Sequence, residues 1–196
     1  MTTRSGTLDI PVLIVGAGPV GLALAADLGS RNVSCLVIEQ GEGPADHPRA
    51  SALNARSMEF MRRYGVADAV RAASAPEDFP HTALYCTSLT GFEIARIERP
   101  HHGGRGPSAV SPERPQRCNQ IWLDPILRDL AAGFASVTLH YRCRFEELRQ
   151  EDGCVIASAQ DLAADARLRI AAQYVIDCSG GHSPIRRALA VLIHPK

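Results

Sequence analysis

Short apolar runs and helically spaced apolar residues alternate along the first forty residues of the chain. Residues 10–15 (I-P-V-L-I-V) form a nearly continuous apolar run, which is typical of a strand buried in a parallel sheet. Residues 19–30 carry Ala and Leu at helical spacing, and residues 33–38 (V-S-C-L-V-I) form a second apolar run. This pattern predicts a β-α-β unit, in which a right-handed crossover joins two parallel strands.

The middle of the chain combines helical spacing with one stretch of alternation. Apolar residues at helical spacing predict helices at 52–64, 66–75 and 121–132. Alternating residues on both sides of a Thr90-Gly91 turn predict a β-hairpin at 81–97. Residues 99–117 hold four Pro and three Gly and predict a long loop, whose length favours a binding or lid role.

Period-two alternation begins at Val137. Strands at 137–145, 155–159 and 167–170 predict an antiparallel meander. A separate apolar run at 174–178 is followed by Ser179-Gly180-Gly181 and a last helix. The order of these elements predicts an α/β domain with an inserted antiparallel layer.

Composition narrows the classes of function. The 196 residues are 45% apolar and carry 21 basic and 21 acidic side chains, so the net charge is zero. A balanced charge argues against a surface for nucleic acid or an anionic membrane. The first nine residues lack the apolar segment of a signal peptide, and no apolar run approaches the roughly 18 residues of a membrane span. We therefore expect a soluble cytoplasmic protein whose six cysteines are reduced thiols.

A glycine-rich motif, G-x-G-x-x-G, occupies residues 16–21 between the first predicted strand and helix. In this context Gly16 permits a tight turn, Gly18 lets backbone approach a pyrophosphate, and Gly21 lets helix and strand pack closely. Glu39 ends the second strand and can accept hydrogen bonds from the hydroxyls of an adenosine ribose. The motif predicts dinucleotide binding. FAD and NAD share it, and Glu39 argues only against the 2′-phosphate of NADP at this site.

Four stretches of the sequence together resemble the FAD-dependent aromatic hydroxylases, the single-component flavoprotein monooxygenases of the p-hydroxybenzoate hydroxylase type. They are G-A-G-P-V-G-L at 16–22 with Glu39, H-P-R-A-S-A-L-N-A-R-S-M-E-F-M-R-R-Y-G-V at 47–66, R-C-N-Q-I-W-L-D-P-I-L-R at 117–128, and Y-V-I-D-C-S-G-G-H-S-P-I-R-R-A-L at 174–189. They occur in the family's order along nearly the whole chain. The resemblance implies a Rossmann-like FAD-binding fold, a parallel sheet with a β-meander, plus part of an inserted antiparallel substrate layer.

The resemblance also implies roles for individual residues. Glu39 would bind the adenosine ribose, Arg49 would lie against the flavin, and Gln120 would contact the ribityl–phosphate portion. Phe145 falls where the family's meander passes the adenine, and segment 177–180 corresponds to a motif that touches the pyrophosphate and is linked to NAD(P)H use. The candidate cofactor-binding residues are Gly16, Ala17, Gly18, Pro19, Val20, Gly21, Glu39, Gln40, Arg49, Gln120, Phe145, Asp177, Ser179 and Gly180.

The last of these motifs departs from the family pattern. The family has Cys or Ala followed by Asp-Gly, whereas this chain has Cys178-Ser179-Gly180, so a hydroxyl replaces a carboxylate. Asp177 shares a strand face with Ser179 if the strand continues. Our hypothesis is that Asp177, or a bridging water, compensates in part, at the cost of weaker cofactor binding. A Ser179→Asp variant should then bind FAD more tightly, and no gain in affinity would count against the idea.

Other residues predict no separate chemistry. His101 and His102 are neighbours in a Gly- and Pro-rich loop and would rarely converge on one ion, so no metal site is expected. Ser183 lies in G-H-S-P-I, which lacks the second glycine of a nucleophile elbow, and no catalytic residue is assigned. Trp122 is expected in the core.

The resemblance implies that FAD is reduced by NADPH or NADH, which binds transiently, and that O₂ is then used to hydroxylate a phenolic or polycyclic aromatic substrate. It divides the chain into FAD-binding elements at 1–80, a hairpin and loop of a partial substrate-binding region at 81–117, and the remainder of the FAD-binding domain at 118–196.

Family members are considerably longer, so we expect this chain to be an N-terminal portion that associates with itself or with a complementing chain. Two alternatives stay open. One is a non-catalytic nucleotide-binding module or truncated remnant, and the other is part of an NAD-dependent dehydrogenase.

Overall fold

A computed structural model describes residues 2–4, 7–44, 46–47, 49–79, 82–98, 103, 107 and 110–191. The chain forms two compact units, one of Met1–Asp46 with Asp124–Lys196 and one of His47–Leu123. His101, His102 and most of the loop predicted at 99–117 lie outside the described residues.

The elements are numbered along the chain. The strands are β1 (Thr2–Arg4), β2 (Thr7–Val15), β3 (Cys35–Ile38), β4 (Ala52–Leu53), β5 (Ala83–Cys86), β6 (Glu93–Ile97), β7 (Gln116–Arg117), β8 (Val137–His140), β9 (Cys143–Glu151), β10 (Cys154–Asp161) and β11 (Ala166–Asp177). The helices are α1 (Pro19–Ser30), α2 (Ala55–Arg63), α3 (Ala67–Ala72), α4 (Gln120–Ala132) and α5 (Pro184–Ala188).

One mixed sheet organises the first unit. Its strand order is β8-β3-β2-β11-β10-β9, and β1 pairs with the start of β2. The strands β8, β3, β2 and β11 are parallel to one another. The strands β11, β10 and β9 form an antiparallel meander. The predicted α/β fold, a parallel sheet with a β-meander, is therefore confirmed. The single meander strand predicted at 137–145 is wrong: residues 137–140 form β8 of the parallel part and residues 143–151 form β9 of the meander, because the chain leaves the extended conformation at Arg142, whose φ is +54°.

The last strand corrects one prediction. The third meander strand and the apolar run at 174–178, which were expected as separate strands, are a single strand, β11. Residues 166–172 of β11 pair antiparallel with β10, and residues 169–177 pair parallel with β2, as far as Asp177 opposite Val15. The linking residues Ala171, Ala172 and Gln173 include no Gly or Pro, so nothing in them interrupts an extended backbone.

The core of the first unit joins the parallel strands to the meander. Leu13 and Leu36 of the parallel strands are fully buried in one hydrophobic cluster that also contains Phe145 and Ile170. Full burial of an aliphatic or aromatic side chain stabilises a fold by about 1.5–3 kcal/mol. The cluster thus fixes the parallel strands whose carboxyl ends carry the candidate cofactor residues.

The second unit holds α2, α3 and two small sheets, the hairpin β5–β6 and the pair β4–β7. The helix predicted from residue 52 begins only at Ala55, because residues 52 and 53 pair with β7 instead. Asn54 caps the helix, since its side chain accepts a hydrogen bond of 2.8 Å from the backbone N–H of Ser57. The β-hairpin predicted at 81–97 is confirmed for its described residues.

Trp122, expected in the core, is 56% exposed, because the buried face of α4 is formed by Leu123, Leu127 and Ala131. Within the described ranges, no helix is long and apolar enough to cross a membrane.

Candidate cofactor site

The chain turns sharply between β2 and α1, in the glycine-rich segment 16–21. Gly16 has a φ of +107°, and a Cβ at that position would lie 2.6 Å from the carbonyl oxygen of Cys178. A Cβ at Gly21 would overlap the carbonyl oxygen of Gly16. Both positions require glycine, the first for its backbone conformation and its neighbour, the second for close packing.

Gly18 differs from these two glycines. Its φ of −74° suits any residue, and no atom lies within 4 Å of the position that its Cβ would take. The fold therefore does not require glycine here, and the missing side chain leaves open space at the beginning of α1. That space is what the close approach of a ligand to the backbone needs.

The first turn of α1 is not capped by a side chain. Gly18 is the N-cap, Pro19 follows without an N–H, and Val20 is 69% exposed. Helix N-termini leave backbone N–H groups unpaired and carry the positive end of the helix dipole. The first turn of α1 therefore has the character of an anion-binding site.

Glu39 braces the glycine-rich turn. One oxygen of its carboxylate accepts a hydrogen bond of 2.9 Å from the backbone N–H of Ala17, and the other accepts one of 2.9 Å from Gly41. Each oxygen has a second lone pair that is available to a ligand hydroxyl.

The backbone of Glu39 is also held on both sides. Its N–H donates to the carbonyl of His140 (3.0 Å), and its carbonyl accepts from the N–H of Cys143 (2.8 Å). Side chain and backbone are thus fixed without a ligand. Gln40 follows as an exposed residue.

The third part of the site lies at the end of β11. The Asp177 carboxylate accepts hydrogen bonds from the N–H of Ser179 (3.0 Å), from the Ser179 hydroxyl and from the Ser183 hydroxyl. Burial acts to raise the pKa of Asp177, but these hydrogen bonds and the Arg186 guanidinium outweigh it and hold that pKa below its usual range. Gly180 completes the turn with a φ of +83°.

Arg49 and Gln120 belong to the second unit. Gln120 is the first residue of α4, and its N–H donates a 2.8 Å hydrogen bond to the carbonyl of Ala50. The side chain of Arg49 is exposed. The two candidates are therefore brought close together by one backbone hydrogen bond, although 71 positions separate them in the sequence.

The structure groups most of the candidates at one edge of the first unit. The glycine-rich turn, Glu39 and Asp177 follow the carboxyl ends of β2, β3 and β11, which is where open α/β sheets bind ligands. Phe145 belongs to the same unit, but its side chain is buried in the hydrophobic cluster, and its contact with an adenine stays a prediction.

Sequence reasoning did not assign a role to Ser183 or Tyr141. Ser183 is the N-cap of α5, where its oxygen accepts from the N–H of Arg186 (2.9 Å) while its hydroxyl donates to Asp177. The Ser-Pro pair before a helical segment was the available signal. Tyr141 left no such signal: its hydroxyl is buried and has no hydrogen-bond partner within the described part of the chain.

Comparisons with known proteins agree with this geometry. The FAD binding domain family matches residues 9–195. The tetracenomycin B2 monooxygenase-dioxygenase of Streptomyces olivaceus is 34% identical over 199 residues, which cover 94% of this chain and 36% of that protein. The phenol 2-monooxygenase of Pseudomonas sp. (strain EST1001) is 30% identical over 187 residues, which cover 93% of this chain and 30% of that protein.

Solved structures give the same result. The rebeccamycin biosynthetic enzyme RebC with reduced flavin matches with a TM-score of 0.84 at 38% identity, over 97% of this chain and 36% of that one. The flavin-dependent monooxygenase PieE, in complex with FAD and substrate, matches with a TM-score of 0.84 at 28% identity, over 96% of this chain and 33% of that one.

The chain spans about a third of the length of these relatives. The resemblance to FAD-dependent aromatic hydroxylases is confirmed, and FAD rather than NAD is the cofactor of the matching family. With its glycine-rich turn, its braced Glu39 and a match over residues 9–195, the chain belongs to the FAD binding domain family.

Proposed function

We propose that this chain is the FAD-binding part of a flavin-dependent monooxygenase that hydroxylates an aromatic compound with O₂ and NADPH or NADH. The observation that carries the proposal is the open, braced turn at Gly18 and Glu39, in a chain that the FAD binding domain family matches over residues 9–195. The relatives that are named as a phenol and a tetracenomycin monooxygenase support the aromatic substrate class.

The residues present fit FAD by the chemistry of their donors and acceptors. The first turn of α1 offers N–H groups to a pyrophosphate, and Gly18 leaves room for it. Glu39 offers lone pairs to ribose hydroxyls, since its two backbone hydrogen bonds use only part of its acceptor capacity. When it is bound, FAD supplies the redox chemistry, and this chain's residues supply binding and orientation.

The remaining assignments form part of the same proposal. Arg49 would contact the flavin, and Gln120 would contact the ribityl–phosphate portion. The functional division at 1–80, 81–117 and 118–196 stays a prediction, as do cytoplasmic location and association with a second copy or a complementing chain.

FAD binding by the purified chain is the first test. We expect a yellow protein with flavin absorbance at about 450 nm, because the bound cofactor sets that spectrum. Glu39→Gln should weaken FAD binding about tenfold, because the amide nitrogen cannot accept the hydrogen bonds that a carboxylate oxygen accepts. Glu42→Gln is the matched control, since Glu42 is exposed, lies in the same loop and makes no side-chain hydrogen bond within the described residues.

A colourless chain that takes up no added FAD would overturn the proposal. Oxidation of NADH or NADPH by the FAD-loaded chain, stimulated by an aromatic compound such as phenol, is the second test. FAD binding without such stimulation would favour the non-catalytic nucleotide-binding module for this chain on its own.

A further inference from the structure

A cavity of about 420 Å³ lies in the second unit, at the end of α3 and the beginning of α4. The side chains that line it include Ser51, Ser74, Phe79, Arg117, Asn119 and Trp122. Its backbone frame is held by a 2.8 Å hydrogen bond from the N–H of Ala75 to the carbonyl of Arg117. The cavity is therefore a feature of the fold and does not depend on flexible side chains alone.

Two aromatic rings contribute to this cavity although neither is buried. Phe79 is 45% exposed and Trp122 is 56% exposed. Aromatic side chains bury a large apolar area and stack on planar partners when they meet them. Ligand cavities characteristically combine such rings with a few polar groups that set orientation.

Three polar side chains of the cavity are available to a ligand, whereas the Ser74 hydroxyl already donates to the carbonyl of Val70 (2.7 Å). Within the residues that the structure describes, the guanidinium of Arg117 makes no ion pair and no hydrogen bond, and the side chains of Asn119 and Ser51 make no hydrogen bond. Arg117 is also the one charged residue among those that line the cavity. A guanidinium binds a carboxylate through charge-assisted, often bidentate, hydrogen bonds.

We propose that this cavity binds a planar aromatic carboxylate. Its ring would contact Phe79 and Trp122, and its carboxylate would pair with Arg117. This site goes beyond the proposed function. All its lining residues belong to the second unit, and a ligand could bind there whether or not FAD is bound.

The chain offers a direct readout, because Trp122 is its only tryptophan. We would titrate the full chain with 1-naphthoate and with 1-naphthamide, its neutral analogue, and follow the single indole N–H resonance together with the heat of binding. Naphthoate should shift that resonance and bind about tenfold more tightly than naphthamide, the ratio expected for one charge-assisted hydrogen bond of about 1.5 kcal/mol.

Two arginine variants test the assignment of the charge. Arg117→Gln should abolish the preference for naphthoate, whereas Arg114→Gln, in the same segment but outside the cavity lining, should keep it. Equal binding of acid and amide, equal loss in both variants, or no shift of the indole resonance would each overturn the proposal. Because FAD binding is measured separately, none of these outcomes bears on the proposed function.

Discussion

The carboxylate of Asp177 accepts hydrogen bonds from both the backbone N–H and the hydroxyl of Ser179, two residues farther along the chain. The hydroxyl proton of Ser179 is thereby used within the protein. What Ser179 presents to a ligand is therefore an acceptor. The Asp177 carboxylate therefore cannot simply take the place of the carboxylate that the family has at position 179, because it is already hydrogen-bonded to Ser179.

Removing the Asp177 carboxylate should destabilise the chain. In Asp177→Ala the hydroxyl of Ser183, which is only 2% exposed, loses its acceptor. An unsatisfied buried donor costs about 1–3 kcal/mol, and urea unfolding measures the change. Asp152→Ala is the control, since Asp152 lies in an exposed turn and makes no side-chain hydrogen bond among the described residues. An equal loss in both variants would contradict the role of Asp177.

The same carboxylate predicts a pH dependence with a definite sign. Its pKa in the folded chain is lowered from 3.8, so the ionised form contributes stability above that value, and this contribution is lost as the pH falls through the lower folded pKa. The difference in unfolding free energy between the wild type and Asp177→Asn should stay constant from pH 7 to about pH 5 and shrink below pH 3.8. Urea titrations across this range measure it, and a difference that grows on acidification would reverse the sign.

Restoring the family carboxylate at position 179 should have its full effect only when Asp177 is neutral. Ser179→Asp alone places a second carboxylate beside Asp177, and like charges at this spacing repel. We therefore expect Ser179→Asp to tighten FAD binding in the Asp177→Asn background and to give a smaller gain in the wild type. Titration of the wild type, the two single variants and the double variant with FAD tests this, and an identical gain in both backgrounds would rule out the coupling.

Two glycines of the turn should respond differently to the same substitution. Gly21→Ala brings a methyl group onto the carbonyl oxygen of Gly16, and we expect a loss of about 3 kcal/mol of stability, the upper end for overpacking. Gly18→Ala meets no atom within 4 Å and should leave the stability of the FAD-free chain within about 1 kcal/mol of wild type.

The two glycine variants should also differ in their affinity for FAD. Gly18→Ala should weaken it by at least about tenfold, because the added methyl group occupies the space at the beginning of α1. Thermal melts with and without FAD separate the two effects. A Gly18→Ala chain that binds FAD like the wild type would show that the ligand does not approach here.

Tyr141→Phe should stabilise the FAD-free chain. The hydroxyl of Tyr141 is buried and, within the described residues, has no hydrogen-bond partner, and burial raises the pKa of the phenol. Removing an unsatisfied buried group recovers about 1 kcal/mol of desolvation cost. Tyr174→Phe, at an exposed position on β11, is the control and should change little in the same urea experiment. A destabilised Tyr141→Phe chain would show that the hydroxyl is satisfied in solution.

Local patterns were enough to predict the β-α-β unit and its turn. The task of Gly21 depends mainly on a strand, a turn and a helix that are adjacent in sequence, since the carbonyl oxygen that its Cβ would overlap belongs to Gly16, five residues away. The crowding at Gly16 was not predictable locally, because it comes from Cys178. The family motifs likewise predicted the candidate cofactor-binding residues from the sequence alone.

Long-range pairing accounts for what the sequence did not reveal. The helix α2 begins later than predicted because Ala52 pairs with Arg117, and no local stretch of sequence contains both residues. The continuity of β11 depends on two partners, β10 and β2, that lie far apart in the chain. The exposure of Trp122 depends on which face of α4 is covered, which composition does not state.

The pairing of Val15 with Asp177 has a consequence for synthesis. Chains emerge from the ribosome N-terminus first, so the glycine-rich turn is made long before the strand that lies beside it. Until β11 is complete, β2 has an open edge, and the carbonyl of Cys178 that packs against Gly16 does not yet exist. Non-local parallel pairings also form slowly. We therefore expect the nascent chain to complete its glycine-rich turn only after residue 178 has left the ribosome.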